Sequence, residues 1–154
     1  MTFFYDRFFP IIKKENRSFK YRAVVGIGGN EGDVRKRFRN LYMYMCRSSL
    51  VSISETSPIL QNPPFGYLEQ KDFYNAVMVM RTSLSPKAFL KFLLHVEKIF
   101  GRKRSFKNAP RTLDLDLIFY EEIKIKSKFL SVPHPSWSQR ESVVLPLLKL
   151  KRKI

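Results

Sequence analysis

Hydrophobic and polar residues recur with a regular period from residue 21 onwards. Residues 21–28 form a short apolar run that ends in glycines, which is typical of a buried strand. Apolar residues then recur at helical spacing after Asp33, a predicted N-cap. A second helix is predicted to begin at Ser85 and Pro86, a cap and a first-turn residue, and to end at Gly101.

Three further segments have the pattern of strands. Residues 50–56 alternate between apolar and polar side chains, residues 73–82 are rich in β-branched and aromatic residues, and residues 113–120 alternate again. A small hairpin is predicted near residues 123–131, and the Pro-rich residues 57–71 are predicted as a long loop. The order β-α-β-β-α-β predicts an α+β fold, a ferredoxin-like sandwich with two helices on one face of an antiparallel sheet.

Length and composition restrict the class of protein. A chain of 154 residues has room for one domain, and its 44% of hydrophobic residues exclude a disordered chain. A single cysteine excludes an internal disulfide and a multi-cysteine metal site. No apolar run reaches the ~20 residues that span a bilayer, and no signal peptide is recognisable, so we expect a cytoplasmic protein. Residues 1–20 are predicted as an N-terminal extension, such as a packing arm, of unknown role, and residues 21–154 as the domain.

The net charge of +16 favours an anionic partner. Nucleic acid, a membrane surface and a phosphorylated small molecule would all suit it, and so would a merely solvated basic surface. The basic residues 149–154 are predicted as solvated charge. Charge alone therefore leaves the function open.

The most informative motif is Pro-Arg-Thr-Leu-Asp-Leu-Asp at residues 110–116. Residues i and i+2 of a strand point to the same face, so Asp114 and Asp116 are predicted to project side by side. Mg²⁺ commonly takes one or two carboxylates together with substrate phosphates. The alternative is a solvated strand face on which the two aspartates serve solubility alone.

Two further segments bear on phosphate binding. Residues 101–111 hold five cations and no acid, which suits phosphate contacts, although a nucleic-acid patch or an ordinary solvated loop would look the same. The glycines of residues 26–32 precede a helix, but Glu31 breaks the G-x-G-x-x-G spacing. These glycines are expected to let the backbone approach a ligand or turn tightly. His134, held between two prolines, is either a phosphate or metal-adjacent contact or a structural residue.

From about residue 23 to residue 147 the chain resembles the 6-hydroxymethyl-7,8-dihydropterin pyrophosphokinase family. The resemblance rests on five motifs in order: residues 26–33, 72–76, 101–102, 110–116 and 132–134. It implies ATP- and Mg²⁺-dependent transfer of pyrophosphate from ATP to the hydroxymethyl group of the pterin, with release of AMP, in folate biosynthesis. Small-molecule substrates, no membrane partner and a monomer are expected.

The resemblance also implies roles for single residues. Asp114 and Asp116 match the pair that holds two Mg²⁺ ions, and they count with Arg102 and Arg111 as catalytic. The residues that match ATP contacts are Glu97, Arg102, Arg104, Arg111, Ser131, His134 and Arg140. The residues that match pterin contacts are Gly28, Thr56, Ile59, Phe73 and Asn75, of which Phe73 stacks on the ring and Asn75 bonds its edge.

One departure from the family concerns the second aromatic that sandwiches the pterin. Ser142 stands at that position, so Trp137 or Phe65 is expected to supply the ring instead, or pterin binding is weaker. The alternative function is a non-catalytic, basic nucleic-acid-binding module, which ferredoxin-like sheets with exposed aromatics can form. The carboxylate pair beside Arg111 argues against it, and a nucleic-acid partner is not expected.

Overall fold

One antiparallel sheet of seven strands carries the fold. The structure is a computed structural model, and it describes residues 1–102 and 106–152. The strands are β1 (Thr2–Phe4), β2 (Ile11–Ile12), β3 (Tyr21–Gly29), β4 (Val51–Thr56), β5 (Ile59–Asn62), β6 (Phe73–Thr82) and β7 (Asp114–Tyr120). β3 and β6 pair in the centre, and β7 pairs with the other side of β3. β4 and β5 both pair with β6, so they form one strand with a break.

The helices are α1 (Val34–Arg47), α2 (Pro86–Ile99) and α3 (Glu141–Leu148), with a 3-10 turn at Trp137–Gln139. The predicted caps of the first two are confirmed: the Asp33 side chain accepts from the Lys36 amide at 3.1 Å, and Ser85 accepts from Ala88 at 3.2 Å. Gly101 follows α2 with a φ of +82°, a conformation that favours glycine. Both helices bury their apolar sides in one core with the sheet. The strand order and the two helices confirm the ferredoxin-like α+β sandwich.

Helix α3 was not predicted, and it contributes to a second, smaller core. Val143 on this helix packs with valines of β3 and β6 and with Ile118 of β7. The helix is eight residues long, contains Pro146 and is apolar around most of its circumference, so it lacks the period that identifies an amphipathic helix. In the described part of the chain, no helix has the length and apolarity needed to cross a membrane.

Residues 1–20 extend the edge of the sheet. β1 pairs with β5, and β2 pairs with β4. Between them Phe9 is fully buried, and its ring lies 5.9 Å from the ring of Phe38 on α1. The arm therefore belongs to the core that the sheet and helices share.

The prediction of a loop over residues 57–71 is wrong for its first part, since residues 59–62 form a strand. Ile59 and Leu60 are buried in β5. The break before them is closed by Ser57, whose amide donates to the Val77 carbonyl and whose hydroxyl accepts from the Val77 amide, both at 2.9 Å. Because these bonds keep the chain beside β6, pairing resumes after Pro58, and the loop covers only residues 63–72.

The prediction that residues 149–154 are simply solvated charge is wrong for residues 151 and 152. The buried carboxylate of Glu55 accepts from the amides of Lys151 at 2.6 Å and Arg152 at 3.2 Å. The Arg152 guanidinium donates to the Ser54 and Lys13 carbonyls. These bonds fix residues 151 and 152 against β4 and the N-terminal arm, while residues 153 and 154 lie outside the described residues.

The predicted hairpin is confirmed as β8 (Ile125–Lys126) paired with β9 (Ser131–Val132). After it the chain returns to the main sheet, because the His134 amide donates to the Ile118 carbonyl at 2.9 Å. This return places the residues from 131 to 142 beside β7.

Candidate active site

An open cavity of about 930 Å³ lies at one end of β3, β6 and β7. The three strands are in register there, since Gly28 lies opposite Asn75 on one side and Asp114 on the other. Most of the predicted site residues line this cavity: Gly28, Phe73, Asn75, Glu97, Arg102, Arg111, Asp114, Asp116, Ser131, His134 and Arg140. The fold thus brings residues from most of the chain to one surface.

Gly28 makes the floor of the cavity flat. A Cβ atom at this position would lie 2.5 Å from Nδ2 of Asn75, which is closer than side chains approach. Asn75 donates weakly to the Ile27 carbonyl at 3.4 Å, and its Oδ1 is buried and has no partner among the described residues. A buried amide oxygen without a donor fits a ligand that carries an N–H group.

Asp114 and Asp116 both face the cavity, whereas Leu113, Leu115 and Leu117 are buried in the core behind them. The predicted alternation of this strand is therefore confirmed. The pair has oxygen ligands on adjacent side chains, which fits a hard cation. Among the described residues no group of three or more His, Cys, Asp and Glu could hold a metal ion, so such a cation would complete its shell with water or substrate oxygens.

Glu97 links helix α2 to the carboxylate strand. The residue is 3% exposed, and its Oε2 accepts from the Leu115 amide at 2.7 Å and from the Arg102 guanidinium at 3.1 Å. Arg102 also hydrogen bonds to Asp114, and Arg111 donates to the other Asp114 oxygen at 2.9 Å. Two arginines therefore share one carboxylate, and Glu97 fixes the strand that carries it.

Asp116 is an unusually basic carboxylate. Burial, above all, and the neighbouring Asp114 raise the pKa of Asp116 to about 7, although Arg140 and Arg111 lower it. Two carboxylates this close repel each other unless a proton or a cation lies between them. The electrostatics of the pair therefore favour the binding of a positive ion.

His134 lines the cavity, and one of its ring nitrogens has a backbone partner. Its Nδ1 accepts from the Ser136 amide at 3.2 Å, so in the neutral ring Nε2 carries the proton. Burial and the guanidinium of Arg140 lower the pKa of His134 below its ordinary value. His134 is thus a neutral hydrogen-bond donor at pH 7.

Two of the aromatic rings that line the cavity each lie beside a guanidinium. The Arg111 guanidinium lies 5.8 Å from the centre of the Phe73 ring, and that of Arg140 lies 6.0 Å from the ring of Phe65. Phe65 is 73% exposed at the tip of the loop of residues 63–72. Trp137, the other aromatic considered, lies outside the cavity lining, with its ring 5.0 Å from that of Phe119.

Thr56 and Ile59 do not line the cavity, so the side chains of these two residues do not make the ligand contacts that the resemblance implies. Both residues are fully buried. The Thr56 hydroxyl donates to the Phe8 carbonyl and accepts from the Ile11 amide, so the N-terminal arm occupies it. Residues 62–65 stand at the cavity wall instead. Arg104 lies outside the described residues.

Two groups of lining residues were missed by the sequence reasoning. Asn62 is 8% exposed, and its Oδ1 has no partner among the described residues, as for Asn75. A signal existed, since Asn62 directly precedes two prolines. On the side of Ser131, an apolar wall is formed by Leu90, Leu94, Phe129 and Leu130. The exposed Phe129 could be noticed only as an apolar residue in the hairpin turn.

Comparison with known proteins shows that most of the chain matches one family. Residues 24–152 match the family described as 7,8-dihydro-6-hydroxymethylpterin-pyrophosphokinase. The chain is 49% identical to the 2-amino-4-hydroxy-6-hydroxymethyldihydropteridine pyrophosphokinase of Campylobacter jejuni, over 92% of this chain and 90% of that protein. It is 43% identical to the protein of the same name from Helicobacter pylori, over 92% and 88%. It is 35% identical to the Folic acid synthesis protein FOL1 of Dictyostelium discoideum, over 88% of this chain and 20% of that protein.

Proposed function

Because this chain belongs to the 7,8-dihydro-6-hydroxymethylpterin-pyrophosphokinase family, we propose that its cavity binds ATP and 6-hydroxymethyl-7,8-dihydropterin side by side. The enzyme transfers pyrophosphate to the hydroxymethyl group and releases AMP, a step of folate biosynthesis. One observation supports the arrangement above others: the register that sets Asn75, Gly28 and Asp114 next to one another. It puts a group suited to a heterocycle two strands away from a carboxylate pair suited to phosphate-bound cations.

Asp114 and Asp116 would hold two Mg²⁺ ions. When bound, Mg²⁺ neutralises phosphate charge and orients the oxygens that react. Glu97 keeps this strand in place through the Leu115 amide, so the carboxylates need not reorganise. The reaction needs no covalent nucleophile, since phosphoryl transfer depends mainly on positioning and charge.

Arg102 and Arg111 serve the triphosphate. Both bond to Asp114, and a triphosphate would compete for the same guanidinium groups. When the two guanidinium groups bond to the phosphates instead of Asp114, they stabilise the negative charge that develops during the reaction. Ser131, His134 and Arg140 would contact ATP, and the apolar wall beside Ser131 would offer its base a stacking surface. Arg104 is assigned to ATP by its motif alone.

The acceptor binds between Phe73 and Phe65. The two rings cover the faces of the pterin, so Phe65 takes the place of the second aromatic residue, which the family has at the position of Ser142. Asn75 and Asn62 offer unpaired amide oxygens to the N–H groups of its edge. Thr56 and Ile59 support this wall from the core, and any contact they make would come from the main chain.

A nucleic-acid-binding module is not favoured as the alternative. A phosphate-binding face gains nothing from two carboxylates beside its arginines. The monomeric state and the cytoplasmic location stay predictions, and light scattering after gel filtration tests the first.

The test is AMP formation from ATP and Mg²⁺, with and without 6-hydroxymethyl-7,8-dihydropterin. We expect pterin-dependent AMP from the wild type and at least a hundredfold less from Asp114→Ala. Glu122→Ala, which removes an exposed carboxylate just beyond β7, is the matched control and keeps full activity. A folded wild type that makes no pterin-dependent AMP would overturn the proposed reaction.

In the same assay we expect Phe65→Ala to raise the pterin KM about tenfold, whereas Phe65→Tyr should leave the pterin KM unchanged.

A further inference from the structure

The side chain of Asn30 joins three segments of the site wall. It is 3% exposed and follows β3 directly. Its Oδ1 accepts from the Arg111 amide at 3.0 Å, while Nδ2 donates to the Gln70 side chain at 2.8 Å and to the Lys71 carbonyl at 2.9 Å. The backbone repeats the link, since the Asn30 amide donates to the Arg111 carbonyl at 3.0 Å. A buried amide that uses both donors and its acceptor in this way is a fixed junction.

Gln70 carries the junction onward to the loop that bears the arginines. Its Nε2 donates to the Asn108 carbonyl at 2.9 Å and to the Tyr67 carbonyl at 2.7 Å. The same two loops also touch through the Tyr67 and Phe106 rings, whose centres are 5.3 Å apart in an edge-to-face pair. The acceptor-side residues 63–72 and the described residues 106–111 are therefore one connected structure.

Arg111 is the residue on which these contacts converge. Its main chain is held by Asn30, and its guanidinium lies between Asp114 and the ring of Phe73. A shift of the main chain would move the guanidinium away from both. Errors of about 1 Å in such a group can reduce a rate a hundredfold.

We propose that Asn30 and Gln70 are positioning residues that set the Arg111 guanidinium between the two substrates. The proposal rests on the proposed function, because it gives Arg111 a triphosphate to contact. Neither side chain needs to touch a substrate. Their effect on the nucleotide passes through Arg111, and this dependence can be measured.

The experiment is a double-mutant cycle on nucleotide binding. The dissociation constant of α,β-methylene-ATP with Mg²⁺ is measured by calorimetry for wild type, Gln70→Ala, Arg111→Ala and the double variant. We expect Gln70→Ala to weaken binding about tenfold in the wild-type background and less than about twofold when Arg111 is already alanine. A merely structural role would weaken binding equally in both backgrounds, and that result would overturn the proposal.

Controls separate this outcome from others. Gln61→Ala removes an amide that bonds only weakly to Asp72, at 3.5 Å, and it should leave nucleotide binding unchanged in both backgrounds. Asn30→Ala repeats the cycle from the buried side, and amide hydrogen exchange at Arg111 should become at least tenfold faster in it. Unchanged exchange would contradict the proposal without reference to any ligand. A wild type that binds no nucleotide would instead contradict the proposed function.

Discussion

Two groups of carboxylates, at Glu55 and at Asp114 with Asp116, show how the same chemical group serves structure or function. Glu55 is 2% exposed, and its oxygens accept from the amides of residues 151 and 152. These donors belong to the backbone and cannot leave without unfolding the C-terminus. The charge of Glu55 is therefore fixed and fully partnered.

The aspartate pair has the opposite arrangement. The partners of Asp114 are guanidinium groups on long side chains, which can turn to another anion. Burial and Asp114 raise the pKa of Asp116 to about 7, so a negative charge on Asp116 is unfavourable without a bound cation. Partners on movable side chains, and a carboxylate that lies next to another, distinguish this candidate ligand site from the structural bonds of Glu55.

Asp116→Asn should separate the two groups most sharply. We expect pterin-dependent AMP formation to fall about a thousandfold, because the amide loses the charge that holds a cation. The free energy of unfolding, measured in urea with EDTA, should be unchanged or higher, since a crowded buried charge is removed. Full turnover at ordinary Mg²⁺ would sink this prediction.

Glu55→Gln should do the reverse. The free energy of unfolding should drop by about 2 kcal/mol, because two amides exchange a charged acceptor for a neutral one that presents a single oxygen. Activity at 25 °C should stay within about twofold of wild type, since Glu55 is not among the residues lining the cavity. A large loss of kcat in a fully folded variant would show that the two regions are coupled.

The pH dependence of stability tests the same comparison without comparing activities. Asp116 holds its proton up to a pKa of about 7 in the folded, metal-free protein, against 3.8 for the ordinary group. Between these values the unfolded chain has released a proton that the folded chain keeps, so the contribution of Asp116 to stability falls as the pH rises. Urea denaturation at pH 4.5 and 7 with EDTA should show a smaller decline in Asp116→Asn than in wild type. Equal declines would contradict the assigned pKa.

Features encoded locally were predictable from the sequence. The caps at Asp33 and Ser85 act within three residues, and the alternation at Asp114 and Asp116 follows from strand geometry alone. The position of the carboxylate pair on one face of β7 needed no knowledge of the rest of the fold.

Features that depend on distant partners were not predictable. The N-terminal arm pairs with β4 and β5, and nothing in residues 1–20 specifies that edge. The burial of Thr56 and Ile59 away from the cavity could not be predicted for the same reason, because only pairing with β6 shows that the strand resumes after Pro58. From the sequence, Phe65 and Trp137 were equal candidates for the second stacking ring. The structure packs Trp137 against the smaller core instead.

The register at Gly28 also fixes the distance between two parts of the cavity. Neighbouring strands lie about 4.8 Å apart, so the backbones that carry Asn75 and Asp114 are separated by two such spacings, about 10 Å. The sheet thus acts as a ruler whose unit is the hydrogen bond between strands. In the proposed binding mode, this separation would set the distance from the edge of the acceptor at Asn75 to its reacting oxygen, and an acceptor with a longer arm would overshoot the carboxylates.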